Sequence, residues 1–199
     1  MVQVTSILGT EPVTLNEAKD HCYETGNDND NLLLSLISAA REYAEGKTWK
    51  QIIEATLVLK LDEFPSSLEI VLPRPPAISV TSVEYVDEDG ATQTWSDSNY
   101  DVDTFSEYAR IRPVDTVGDW PSTKDQMNAV IVTYKAGYDN SDPQHYIPTK
   151  IKQAILMLVK YWYDNRDAVV ISQGRTVDAM EPPLATDTLL GMESARAFV

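Results

Sequence analysis

The chain has 199 residues and carries 31 Asp and Glu against 16 Lys and Arg, a formal net charge of -15. That excess repels a phosphate backbone and argues against sequence-specific nucleic-acid binding, which needs clustered basic residues. The length suits one domain, or one domain with a sizeable insertion, and no run reaches the roughly 18 apolar residues of a membrane span.

Met1 to Ser6 lacks a basic segment and a long apolar core, so no signal peptide is expected. Thr14-Leu15-Asn16-Glu17 fits a capping box and predicts a short helix to about Tyr23, stopped by Gly26. Asp30 is the expected N-cap of a second helix, in which Leu33, Leu36, Ile37, Ala40, Tyr43 and Ala44 share one face, with Gly46 at its end.

From Ile52 the period changes to two. Leu57, Leu59 and Leu61 alternate with Val58, Lys60 and Asp62, and Leu68, Ile70 and Leu72 repeat the pattern until Pro73-Arg74-Pro75-Pro76 breaks it. Val80 to Val86 and Ala91 to Trp95 flank Asp87-Glu88-Asp89-Gly90, a hairpin signal. Short strands follow at Tyr100 to Asp103, Ala109 to Pro113 and Ala129 to Tyr134, and Gly137 closes the region.

Pro148 opens a long helix to Asn165, with Ile151, Ala154, Ile155, Leu156, Met157, Leu158, Val159, Tyr161, Trp162 and Tyr163 spread around it. A helix apolar all round must be covered all round, by its own core or by neighbouring copies. A looser stretch with Gly174, Pro182 and Pro183 leads to a final short helix expected from about Thr186 to Ala197.

The pattern predicts an α+β fold. A small helical bundle, two N-terminal helices and one long C-terminal helix, carries an inserted antiparallel β region. Residues 1–199 are read as one domain: helices at 10–50, the insertion at 51–138, the long core helix at 147–168 and a tail at 174–199.

Signals for chemistry are weak. His21 and Cys22 are helix neighbours and point in different directions, and His145 has no evident partner, so no catalytic residue is expected. Asp28-Asn29-Asp30 and Asp97 to Asp101 alternate oxygen ligands but lack the glycine and glutamate of a calcium loop, and Asp87-Glu88-Asp89 reads as a hairpin tip. No metal and no cofactor are expected. Trp120 in its loop reads equally as an interface anchor or as a plug under the β region. Arg166 reads as a cation at the helix C-terminus, with a partner contact as the alternative.

One resemblance rests on motif order. Glu11 to Lys19 comes first, then Leu33 to Glu45 with Thr48-Trp49, and Leu72 to Pro76. Ser82 to Asp87 with Gly90, Trp120-Pro121 and Val132 to Tyr138 follow; Ile147 to Ile155 and Tyr163 to Asp167 complete the series. Across residues 10–168 the chain resembles the head–tail connector (adaptor) proteins of long-tailed bacteriophages, also described as DNA-packaging or head-completion proteins.

The resemblance implies a non-enzymatic ring, commonly a dodecamer, docked under the portal protein. The ring continues the DNA channel and receives a head-closure or tail-completion protein. It also implies a place at the virion neck, assembly in the bacterial host cytoplasm, passage of DNA without specific binding, and no membrane contact.

Within such a ring, Leu156, Val159 and Tyr163 are the expected subunit-interface residues, exposed in an isolated subunit, while Ile151, Ile155 and Leu158 are expected inside. Leu189, Leu190, Met192 and Phe198 are the expected portal contacts. The alternative is a virion-surface or carbohydrate-binding β module, which requires Trp95, Tyr100 and Trp120 exposed on one face. An enzyme would require a cleft of titratable residues with shifted pKa values.

Overall fold

A computed structural model describes residues 2–139, 146–166 and 183–195, and the backbone of Val169–Ser172 and Arg175–Asp178. The chain forms two compact units, one from residues 1–10 and 53–146, the other from 11–52 and 147–199. The α+β expectation holds, with most strands in the first unit and the α-helices in the second.

The first unit begins with β1 (Val2–Ile7), which the sequence reading left unassigned. It pairs antiparallel with β2 (Ala55–Leu61), and β2 pairs with β8 (Val130–Ala136). β8 continues to β4 (Ala77–Val86), and β4 to β5 (Thr92–Trp95). The five-stranded order is therefore β1-β2-β8-β4-β5. A second sheet, β3-β7-β6, joins Ile70–Val71, Arg110–Pro113 and Tyr100–Asp103.

Alternation works as expected on the central strands, because successive side chains leave opposite faces. Leu57 and Leu59 from β2 and Val130, Val132 and Tyr134 from β8 enter one core with Ile70, Leu72 and Ile111. Leu68 departs from its expected strand; it sits at φ 60 and is 42% exposed, so β3 keeps only two residues. The hairpin turns at Gly90 with φ 87, where Asp87 accepts the Ala91 N–H at 2.8 Å. Gly137 at φ 126 closes the region against Ile53: a Cβ there would lie 2.4 Å from the Ile53 carbonyl oxygen.

The second unit contains α1 (Leu15–Cys22), α2 (Asp30–Thr48), α3 (Thr149–Asp164) and α4 (Leu184–Glu193). It also holds a hairpin of β9 (Val169–Ser172) and β10 (Arg175–Asp178), where the sequence pattern shows only a looser stretch.

The Thr14–Glu17 capping box is present in full: the Glu17 N–H reaches the Thr14 hydroxyl at 3.2 Å and the Thr14 N–H reaches the Glu17 carboxylate at 2.9 Å. α1 ends at about Tyr23 as expected, but Tyr23 itself at φ 60, and not Gly26, caps it; Trp49 at φ 57 ends α2 three residues beyond Gly46. Asp30 is the first helical residue of α2, not its cap; it pairs with Lys19.

Candidate functional site

α3 packs against α1, α2 and α4 within its own unit. Ile151, Ala154, Ile155, Leu158 and Val159 form its buried face. Ile151, Ile155 and Leu158 are inside as expected. Val159 corrects the expectation of exposure, since it is 0% exposed. At about 100° per residue, Val159 stands some 60° from Leu156, toward Ile155. Leu156 and Tyr163 stand only about 20° apart, with Lys160 beside them, and all three are half-buried on the side that α3 leaves open.

Sequence spacing alone placed Leu156 and Tyr163 on that side. The partners that complete it come from α1 and were not foreseen. An open depression of about 560 Å³ is lined by Glu17, Asp20, His21, Tyr23, Leu156 and Lys160. Its lining is mostly apolar, and its rim carries both signs of charge. Tyr23 is 87% exposed, and the Lys160 ammonium lies 5.9 Å from its ring centroid. Lys160 is held by Asp164 at 2.7 Å, and this hydrogen bond pushes the Lys160 pKa up. Glu17 is held low first by its hydrogen bond to Lys152 and then by the Thr14 N–H. Cys22, adjacent to His21 in sequence, is buried, and desolvation pushes its thiol pKa up. His21 and Cys22 thus part company as helix geometry requires.

Beyond the depression, Tyr163 donates its hydroxyl to Glu24, and Asn29 donates to the same carboxylate at 3.2 Å. The Tyr163 bond first, and the Gly26 N–H second, hold the Glu24 carboxyl below its ordinary range; the same bond raises Tyr163. Arg166 lies over the Tyr163 ring at 4.8 Å and donates from Nε to the Tyr163 carbonyl at 3.3 Å. That is the C-terminal cation geometry expected for Arg166.

The acidic turns have structural partners. Asp30 pairs with Lys19, and the Asn29 side chain serves Glu24 and Tyr163. Among the described residues no group of three His, Cys, Asp or Glu side chains could hold a metal ion. His145 lies outside the described residues.

The aromatics of the first unit settle the two readings of Trp120. It stacks on Phe64 at 4.7 Å between ring centroids and lies 4.9 Å from Trp95, packed against the core as a plug. Trp95 is 7% exposed and Tyr100 8%, so the exposed aromatic face required for glycan binding is absent from these three residues.

On α4 the expected portal contacts diverge. Leu190 is 1% exposed and held by its own unit, which corrects its assignment as a portal contact. Leu189 is half-buried, Met192 is 65% exposed, and Phe198 lies outside the described residues.

A family model described as head completion protein matches residues 11–183. No functionally curated protein matches. Among solved structures, a chain in "Virion of native gene transfer agent (GTA) particle" superposes with a TM-score of 0.76 at 21% identity, covering 100% of this chain and 97% of that one. A chain in "Neck of empty GTA particle computed with C6 symmetry" gives a TM-score of 0.75 at 22% identity, with the same coverage. A chain in "Neck of native GTA particle computed with C12 symmetry" gives 0.74 at 22%, again covering 100% and 97%.

Proposed function

The chain belongs to the head completion protein family, and from that premise we propose that it is a structural, non-enzymatic subunit of an oligomeric ring at the neck of a tailed-phage-type particle. The observation that carries this reading is the family match over residues 11–183, which runs through both units. Chains of the same fold in neck structures computed with C6 and C12 symmetry support a ring of copies, and a dodecamer is the assembly we infer.

In that ring the open side of α3, with Leu156 and Tyr163, contacts the adjacent copy. Val159 takes no part, being enclosed by its own unit. The ring docks on the portal protein through the C-terminal end of the chain, with Phe198 as an apolar anchor. Its other end receives the head-closure or tail-completion protein. The net charge of -15 suits a channel wall that DNA passes without adhering. Assembly takes place in the host cytoplasm. No helix among the described residues is long and apolar enough to cross a membrane.

Light scattering over a concentration series, with and without the cognate portal, tests this. Rings are expected to form on the portal, and a chain that stays monomeric and ignores the portal overturns the proposal.

A further inference from the structure

α4 distributes its side chains unusually for so acidic a chain. Both of its charges are paired within its own unit: Asp187 accepts the Tyr43 hydroxyl at 3.3 Å and pairs with Lys47 at 3.5 Å while its side chain stays 41% exposed, and Glu193 pairs with Lys150 at 2.9 Å. Leu184 is 84% exposed and Met192 65%, with Thr188 between them one turn from each. Large apolar groups left outward reverse the arrangement of a solvated helix face.

Pro183 stands at the N-cap of α4 and supplies no side-chain cap; the Thr186 N–H is taken by the Pro183 carbonyl at 2.8 Å, and Asp187 in the first turn meets the positive end of the helix dipole. The depression between α1 and α3 offers the complement. Leu156 and Tyr23 supply its apolar lining. α1 and α4 both pack on α3 and α2. The depression belongs to α1 and α3 and the exposed Leu184 and Met192 to α4, so the helical unit carries two separate apolar surfaces. A closed ring needs two different, complementary patches on each subunit, since its contacts are head-to-tail.

We propose that the occupant of the α1–α3 depression is α4 of the adjacent copy, with Leu184 seated against Leu156 and Tyr23. This rests on the ring reading above and gives that ring its two faces. It assigns Met192 to the neighbouring copy, not to the portal.

The test uses full-length chains in a Cys22→Ala background, assembled on portal. Tyr23→Cys and Leu184→Cys variants are mixed in equal amounts and oxidised. The expected product is a mixed disulfide dimer, with neither variant cross-linking to itself. Self-cross-linking of either variant overturns the head-to-tail arrangement. So does the absence of any cross-link while the unmodified chain assembles on portal. If the unmodified chain does not assemble, the ring reading itself fails, and this inference with it. In parallel, Leu184→Asp with Met192→Asp is expected to weaken copy–copy association at least tenfold without changing the melting temperature. Unchanged assembly of that variant also overturns the proposal.

Discussion

Arg41 donates from Nη1 to the Glu45 carboxylate at 2.9 Å, one turn along α2, with both side chains nearly out of contact with water. The other oxygen of Glu45 accepts the Ile52 N–H at 3.0 Å and the Gln51 side-chain amide at 3.0 Å. Arg41 also donates from Nε to Glu11 at 3.1 Å. The pair therefore fixes the chain on both sides of α2, before it at Glu11 and after it at Ile52. Removing Glu45 leaves Arg41 paired with Glu11 and Glu42 but takes the acceptor from the buried Ile52 N–H, so a cost below the about 3–5 kcal/mol of a buried charge left wholly unpaired is expected. Glu45→Ala is expected to lower the urea midpoint accordingly. Replacing both members, Arg41→Met with Glu45→Leu, is expected to cost much less than the sum of the single variants. Additive costs in that double-variant cycle would show that the two side chains do not act as a pair.

Glu24 and Tyr163 give a pH prediction whose sign is fixed by their opposite shifts. Glu24 is lowered, so its contribution is full above the ordinary carboxyl value of about 4.3 and is lost as pH falls through the lower folded value. Tyr163 is raised, so its contribution is full below about 10 and is lost as pH rises through the higher folded value. Between those limits the pair adds no pH dependence. In Tyr163→Phe the Glu24 carboxyl is expected to titrate higher, though still below its ordinary range, because the Gly26 N–H and Asn29 remain. A carbon-detected NMR titration of the Glu24 side chain reads this directly. An unchanged Glu24 titration would remove the Tyr163 bond as the main cause.

Much of this architecture is legible in local chemistry, and the parts that are not have physical reasons. Thr14 and Glu17 announce α1 because a capping box needs only neighbours in sequence. Asp87 to Gly90 announces its hairpin for the same reason. β1 gives no such signal: Val2 to Ile7 is an edge strand exposed on most of its positions, so no buried face imposes alternation. The helix stops mislead because Tyr23 and Trp49 adopt the left-handed conformation that glycine usually takes, at φ 60 and φ 57. Spacing set Leu156 and Tyr163 on one side of α3, but it could not tell Val159 from Leu156 without knowing how α1 and α4 close around the helix. The depression itself joins α1 to α3 from distant parts of the chain, and no local motif encodes that meeting.

Gly137 offers a prediction independent of assembly. Its φ of 126 disfavours any L side chain, and an added Cβ would meet Ile53 backbone atoms at 2.4 and 2.5 Å. Backbone atoms cannot turn aside as a flexible side chain can. Gly137→Ala therefore costs at least the order of 1–3 kcal/mol typical of a sparsely populated backbone conformation. The loss is expected in the β unit, where both residues lie, and hydrogen exchange at β8 should report it. Wild-type protection in β8 would show that the backbone yields at no cost.

Leu156 and Leu158 separate the two roles of α3 most sharply. Leu158 is 0% exposed in the helical core, whereas Leu156 lies half-buried on the wall of the depression. Leu158→Ala leaves a cavity and costs about 2–5 kcal/mol of stability. Leu156→Ala removes a side chain with little to lose in the free subunit, and less than about 1 kcal/mol is expected because most surface changes stay small. Assembly reverses the order. Leu156→Ala is expected to reduce ring formation on portal at concentrations where Leu158→Ala, assayed well below its melting temperature, still assembles. Thermal melts and light scattering on the same samples measure both quantities. Equal loss of assembly in the two variants would place the copy–copy contact away from the open side of α3.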